Sequence, residues 1–283
     1  MGGARKLVTV VQSGLADELR DIRDGCGLSL EVVCDKLRWQ QSKLSRMENG
    51  QQCISDVDLG AVLALYEVYG EERRRLLRLA ERQDDPGRWE LDSPTEPGSR
   101  VLMRLEPKTT AIVDVEPLLV PGLVQTDDYI RAVMKCGDLP PDLIEQRLEA
   151  RRSRKFILTK AQPTKFDMIV DEIALRRVTG NHKVMARQLR AMLEIADLPN
   201  VRLWVVPFEQ GAIAGLIHPF YLMDFRHGNS VVMLESQTSG VFLEDKEKID
   251  FFRRYAAKLT RAALDPAKSM DRVATLAKEH ERE

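Results

Sequence analysis

The stretch GLSLEVVCDKLRWQQSKLSRMENG, residues 27–50, constrains the fold more than any other part of the chain. It holds two short amphipathic segments with a few residues between them. In the first, Ser29 is suited to a helix N-cap, and Val33 and Leu37 lie four apart on one face. In the second, Leu44 and Met47 repeat at helical spacing, and Asn49-Gly50 is a pair that tolerates the left-handed backbone of a helix end. Leu37, Leu44 and Met47 can bury together. Gln41, Ser42, Ser45 and Arg46 then point away from that core. Two short helices, a tight turn and a polar outer face on the second helix are what a helix-turn-helix requires.

The chemistry of that outer face suits base edges. Glutamine pairs bidentately with adenine and arginine with guanine. Lys43 stands to the side, where a phosphate would pass, and Arg38 adds a second cation at the helix entrance. The candidate DNA-contacting set is Arg38, Gln40, Gln41, Ser42, Lys43, Ser45, Arg46 and Asn49.

The surrounding sequence sorts into parts. Residues 1–15 read as a flexible N-terminus and 16–82 as about five short helices. ADELRDIRDG places Leu19, Ile22 and Arg23 at helical spacing and ends at Gly25, a C-cap residue. Ser55 caps a fourth helix, with Asp58 three residues on as a shortened capping box. EERRRLLRLAER is a fifth helix. Residues 83–99 hold five prolines and glycines and read as a linker in which Trp89 docks on a neighbouring domain. Residues 100–283 mix helical segments with strands at TTAIVDVE, KFDMIVDE, VRLWVVPF, HPFYLMDF and SVVMLE, and close on the helix KEKIDFFRRYAAKLTRAAL. Strict alternation of strand and helix is missing, so this half is α+β, and so is the chain as a whole.

Several function classes find no support. The four cysteines, Cys26, Cys34, Cys53 and Cys136, form no CxxC pair and read as free, small core residues. The four histidines are scattered, and no HExxH, P-loop, GxGxxG or GxSxG occurs. The expectation is therefore a protein that is not an enzyme and carries no metal or cofactor. No apolar run reaches the length of a membrane span and no secretory leader is recognised, so a cytoplasmic location is expected.

GLSLEVVCDKLRWQQSKLSRMENG resembles the helix-turn-helix of XRE (Cro/repressor-type) regulators, with SKLSRMENG close to their recognition-helix pattern. SLEVVCDKL followed by Trp39 is similar to the WhiJ-like subgroup from actinobacteria. EPLLVPGLVQTDDYIRAV, DEIALRR, QLRAMLEIADLPNVRLWVVPFEQGA and HPFYLMDF resemble that subgroup's C-terminal domain, so the resemblance spans nearly all of residues 16–265. It implies an antitoxin-like transcriptional regulator, a repressor by expectation. It would bind a double-stranded operator as a homodimer, with a C-terminal domain that is not an established catalyst and binds a small acidic partner protein. The alternative is a scaffold that chiefly sequesters that partner, with DNA binding secondary. Two departures stand out. Arg38 occupies the turn position where the family has glycine, and Leu30 stands where glutamine is common.

Charge argues the other way and has to be weighed. The chain carries a net −1, and residues 16–82 hold 11 Lys/Arg against 13 Asp/Glu. A general electrostatic DNA binder would be basic. A few cations beside the recognition helix suffice if the acids lie on other faces. The most basic run, RLEARRSRK, supplies Arg147, Arg151, Arg152, Arg154 and Lys155, and reads as a solvated or partner-binding surface rather than a nucleic-acid patch.

Overall fold

The computed structural model describes residues 10–81, 88–92, 99–137, 139–213, 216, 218–226, 229–235 and 239–283. In chain order its regular elements begin with α1 (Val10–Gly25), α2 (Leu30–Leu37), α3 (Gln41–Glu48), α4 (Asp56–Leu65), α5 (Gly70–Ala80), β1 (Arg88–Asp92), α6 (Ser99–Leu105), β2 (Thr109–Glu116), α7 (Asp127–Lys135) and α8 (Pro141–Arg154). They continue with β3 (Lys165–Asp171), α9 (Glu172–Arg176), α10 (His182–Ala196), β4 (Val201–Val206), β5 (Phe220–Phe225), β6 (Val231–Glu235), β7 (Ser239–Leu243), α11 (Lys246–Ala262) and α12 (Pro266–Arg282). The chain folds as two compact units. Of the described residues, the first takes those up to Arg104 together with Asn229 and 239–245, and the second takes the others.

The first unit is a helical cluster. Leu15 and Leu19 of α1, Val33 of α2, Leu44 and Met47 of α3, Leu59 and Leu63 of α4 and Leu76 of α5 form one buried core, with Leu37 and Trp39 packed partly against it. Fully burying each such aliphatic side chain stabilises the cluster by about 1.5–3 kcal/mol. Helix α1 starts at Val10 and Leu15 is fully buried, so the segment 1–15 expected to be flexible is helical from residue 10 and reaches the core at Leu15. Residues 1–9 lie outside the described part.

The helices end in one recurring way. After α3, the Gly50 N–H donates to Met47 O at 3.0 Å and the Gln51 N–H to Arg46 O at 2.8 Å, with Gly50 at φ 63°. This Schellman pattern satisfies carbonyls that the helix leaves open. The same pattern closes α2, where Trp39 N–H donates to Cys34 O at 2.9 Å, but the left-handed residue is Arg38, at φ 54°. A side chain there costs about 1 kcal/mol relative to glycine. Arg38→Gly should therefore raise stability by about 1 kcal/mol, seen as a higher urea midpoint at unchanged slope. A lower midpoint would show that the Arg38 side chain contributes more than its backbone strain removes.

The stretch 83–99, read as a linker, is not free of structure. Within it Arg88–Asp92 forms β1, which pairs antiparallel with β7 from Arg88↔Leu243 to Asp92↔Ser239. The Trp89 side chain and its expected docking lie outside the described residues.

The second unit is built on strands in the order β6-β5-β2-β3-β4. Strands β2, β3 and β4 are parallel, β5 runs antiparallel to β2, and β6 runs antiparallel to β5. The register Asp114↔Tyr221 and Asp114↔Met168 puts these three residues on one face, with Ile112 and Met223 beside them. Val113, Ile169 and Trp204 lie on the other face, against α11. Helix α12, which sequence reasoning did not anticipate, anchors the β4 edge. There the Val205 N–H donates to Ser269 Oγ at 3.0 Å and the Leu264 N–H to Val205 O at 2.9 Å.

This unit buries charge. Glu106 is fully buried and accepts from Arg154 Nε and Nη2, both at 2.8 Å, and from the Tyr221 hydroxyl at 2.7 Å. Nearby, Asp114 is 3% exposed. Burial pushes its carboxyl up to about 8; Arg154 opposes the rise, while Glu106 and Glu235 add to it. Burial likewise raises Glu116, with Asp114 contributing. In the unfolded chain an aspartate titrates near 3.8. Between these values the folded state holds a proton that the unfolded state has lost, so this group's contribution falls as pH rises. Asp114→Asn carries no such dependence. Its stability relative to the parent should climb from about pH 4 to about pH 8 and level off above, followed by urea unfolding across pH. A difference that stays flat over that window would contradict the burial of a protonated Asp114.

Candidate nucleic-acid interface

Helices α2 and α3 form the predicted helix-turn-helix. Ser29 caps α2 by accepting from the Val32 N–H at 3.3 Å. Leu44 and Met47 face the core, each 1% exposed, while Gln41, Ser42 and Arg46 are exposed on the opposite side. Gln40 and Arg38 are exposed as well. Among the described residues none of these five side chains makes a hydrogen bond or an ion pair, so each is free to meet a base edge or phosphate without breaking an internal contact.

Three other candidates are engaged. The Lys43 ammonium lies 2.6 Å from Asp58 Oδ1 and 4.1 Å from the centre of the Trp39 ring. Asp58 is thus not the capping-box acid its spacing suggested. Its backbone N–H does donate to Ser55 Oγ at 3.1 Å, but its carboxylate reaches across to α3. Asn49 Nδ2 donates to Ser45 O at 2.7 Å and Ser45 Oγ at 3.3 Å, and Asn49 Oδ1 accepts from Arg20 at 2.7 Å. Ser45 and Asn49 therefore stabilise the end of α3.

What holds α3 in place is a buried ion pair that sequence reasoning did not find. Glu48 is 1% exposed and accepts from Arg23 Nε at 2.8 Å and from Arg23 Nη2 at 3.0 Å. The fork is the bidentate geometry that makes Arg–carboxylate pairs strong. The hydrogen bond to Glu48, more than any other contact, raises the Arg23 guanidinium above its ordinary value. Arg23 also donates to Asp24 and to Leu28 O, which ties α1 to the turn before α2. Arg20 adds a bond to Glu48 O at 2.9 Å. The sequence signal was the place of Arg23 on the apolar stripe of α1, where a lone charge requires a partner.

The Lys43–Asp58 pair has a measurable consequence. Asp58→Asn keeps the Ser55 cap and frees the ammonium. Affinity for DNA of any sequence should rise, and the log–log salt slope should steepen by about one unit per subunit. Even so the slope should stay shallower than the roughly −10 of heavily contacting repressors, because few cations flank α3. Fluorescence-anisotropy titrations at several salt concentrations measure both, and an unchanged slope would mean that Lys43 lies off the DNA.

The cysteine expectation needs correcting. Only Cys34 is buried; Cys53 is half-buried, and Cys26 and Cys136 are exposed. Spacing cannot tell a core thiol from a surface one. Among the described residues no group of three or more His, Cys, Asp or Glu side chains is arranged to hold a metal ion, and no helix is long and apolar enough to cross a membrane.

The cationic run 147–155 also differs from its reading as an open surface. Arg154 is committed to buried Glu106, its side chain 11% exposed. Arg151 donates to Gln125 Oε1 at 2.6 Å and Lys155 to Gln125 O at 2.5 Å. Arg152 is exposed but pairs with Asp127 and Glu149, and Arg147 is half-buried. The physical reason is local: α8 lies beside the start of α7, whose first turn carries Asp127, and beside Glu106. The run mainly stabilises its own domain.

A helix-turn-helix domain family matches residues 15–76. A second family, described as a domain of unknown function (DUF5753), matches residues 99–275, more than half of the 283-residue chain. No match is found among curated proteins. The first match makes the chain a DNA-binding regulator by its N-terminal domain, and the second places it: the chain belongs to the DUF5753 family, with a helix-turn-helix domain preceding the domain that defines it.

Proposed function

We propose that this regulator is a sequence-specific repressor that reads its operator with α3 and binds as a homodimer. The observation that carries the reading is the outer face of α3, where Gln41, Ser42 and Arg46 are exposed and uncommitted on a helix locked by the Arg23–Glu48 fork. Rigid placement matters because base readout needs side chains held in register with the groove. Arg38 and Gln40 at the entrance of α3 serve as backbone contacts in this reading, with Lys43 joining them once it leaves Asp58. A single helix-turn-helix covers one half-site, and a dimer on two half-sites gains affinity through linkage.

The C-terminal domain, on this reading, dimerises and receives a signal from a small acidic partner protein. Its size supports a role beyond dimerisation alone. Of the cations first considered for that contact, Arg152 is the one best placed, because it is exposed and its partners Asp127 and Glu149 also lie at the surface. An incoming carboxylate can exchange with them. Sedimentation of the full chain with and without a palindromic operator tests the dimer. A complex of two chains per operator supports it, and one chain per duplex at saturation contradicts it.

A further inference from the structure

The face of the sheet that packs on α11 carries, at its edge with the helix, a solvent-open groove of about 390 Å³. The local cause is the sequence of α11. At this groove it places the buried Ala256 and the exposed Ala257, whose small side chains leave open the space opposite the half-buried Trp204 indole. Val113 and Ile169 make the floor apolar. All of these residues belong to the second unit.

The polar groups at the groove do not balance. Asp167 Oδ1 and Oδ2 accept from Arg202 Nε and Nη2 at 2.5 and 2.6 Å, and Oδ1 also takes the Trp204 indole N–H at 3.4 Å. That acid and that arginine cancel. Arg261 is left at the rim, exposed, without an ion pair or hydrogen bond among the described residues. A flat apolar slot with one aromatic wall and one uncommitted guanidinium suits a particular chemistry. The ring of a ligand lies against Trp204 and the alanines, and its anionic group meets Arg261. The volume falls in the range of small-molecule sites, about 300–1,000 Å³.

We propose that this groove binds a planar aromatic carboxylate, which makes the C-terminal domain a small-molecule sensor. The inference goes beyond the DNA-binding reading and stands or falls without it. Calorimetry on the full chain with 2-naphthoate and its neutral analogue 2-naphthamide tests it. The acid should bind with a sub-millimolar Kd and at least fivefold more tightly than the amide. Arg261→Gln lies on an exposed position and should erase the difference between the two. Ala257→Phe, at an exposed position on the rim of the groove, should fill it and weaken both ligands at least tenfold. No heat of binding for the acid up to 5 mM, or acid binding that neither variant changes, would overturn the proposal.

Discussion

Glu48→Ala should cost the helical unit about 3–5 kcal/mol, because it leaves Arg23 buried without its carboxylate. The Arg23 side chain is 10% exposed and that of Glu48 2%, so water cannot replace the lost partner at either end. Several bonds go together. The fork to Arg23 is lost, and with it the restraint that lets Arg23 reach Leu28 O before α2. Glu48 is the last residue of α3, so the loss also loosens the helix carrying Gln41, Ser42 and Arg46. Unfolding of the helical unit should move to markedly lower urea, and DNA affinity should drop with it at temperatures where the unit is partly unfolded. Replacing both partners by apolar residues of similar volume, Arg23→Met with Glu48→Leu, should recover much of the stability, because buried pairs contribute little net energy over a well-packed apolar pair. A Glu48→Ala cost below about 1 kcal/mol, the range of surface pairs, would mean that the pair is solvated.

Arg46→Ala should weaken operator binding by about 1–3 kcal/mol while leaving the fold intact. Arg46 is exposed, makes no side-chain bond within the described residues, and contributes to helix closure only through its carbonyl, which accepts from Gln51. Alanine keeps that carbonyl and is a good helix former. The whole loss should therefore appear in DNA binding, concentrated at one base pair of each half-site if Arg46 holds a guanine bidentately. Asp58→Asn is the contrasting case, because it changes binding to all sequences alike. An Arg46→Ala chain with wild-type affinity and preference would remove α3 as the reading helix.

The helices of the first unit were legible because their signals are local. Apolar residues at spacings of three and four, serine N-caps at 29 and 55, and an Asn-Gly end each act within a turn or two. Arg38 was also legible, as the wrong residue for a left-handed position that it does adopt. Strands β2 to β6 could be read from β-branched and aromatic runs. Strand β1 could not, because RWELD sits in a Pro/Gly-rich segment and becomes a strand only by pairing with β7, far along the chain. Helix α12 was missed because the sequence reading ended on KEKIDFFRRYAAKLTRAAL, although the Asp265 cap and Pro266 after it suit the start of a helix.

The same division applies to the candidate site. The exposed face of α3 was visible in the sequence. The bonds that determine which of its side chains are free were not, since Glu48, Lys43 and Asn49 find their partners on α1 and α4. In the C-terminal domain the basic run 147–155 looked like a surface because its carboxylates, Glu106 and Asp127, are remote in sequence. Charge counts along a segment do not show where the counter-charges fold.

The central claim is that α3 reads sequence. The most direct measurement is selection of duplexes from a random pool by the purified full chain, followed by a footprint on the enriched site with wild-type and Arg46→Ala protein. The account predicts one enriched motif with two half-sites, protected in the major groove by the wild type, and loss of preference at one position per half-site in the variant. Recovery of no enriched motif, or of the same motif with equal preference by both proteins, would contradict it.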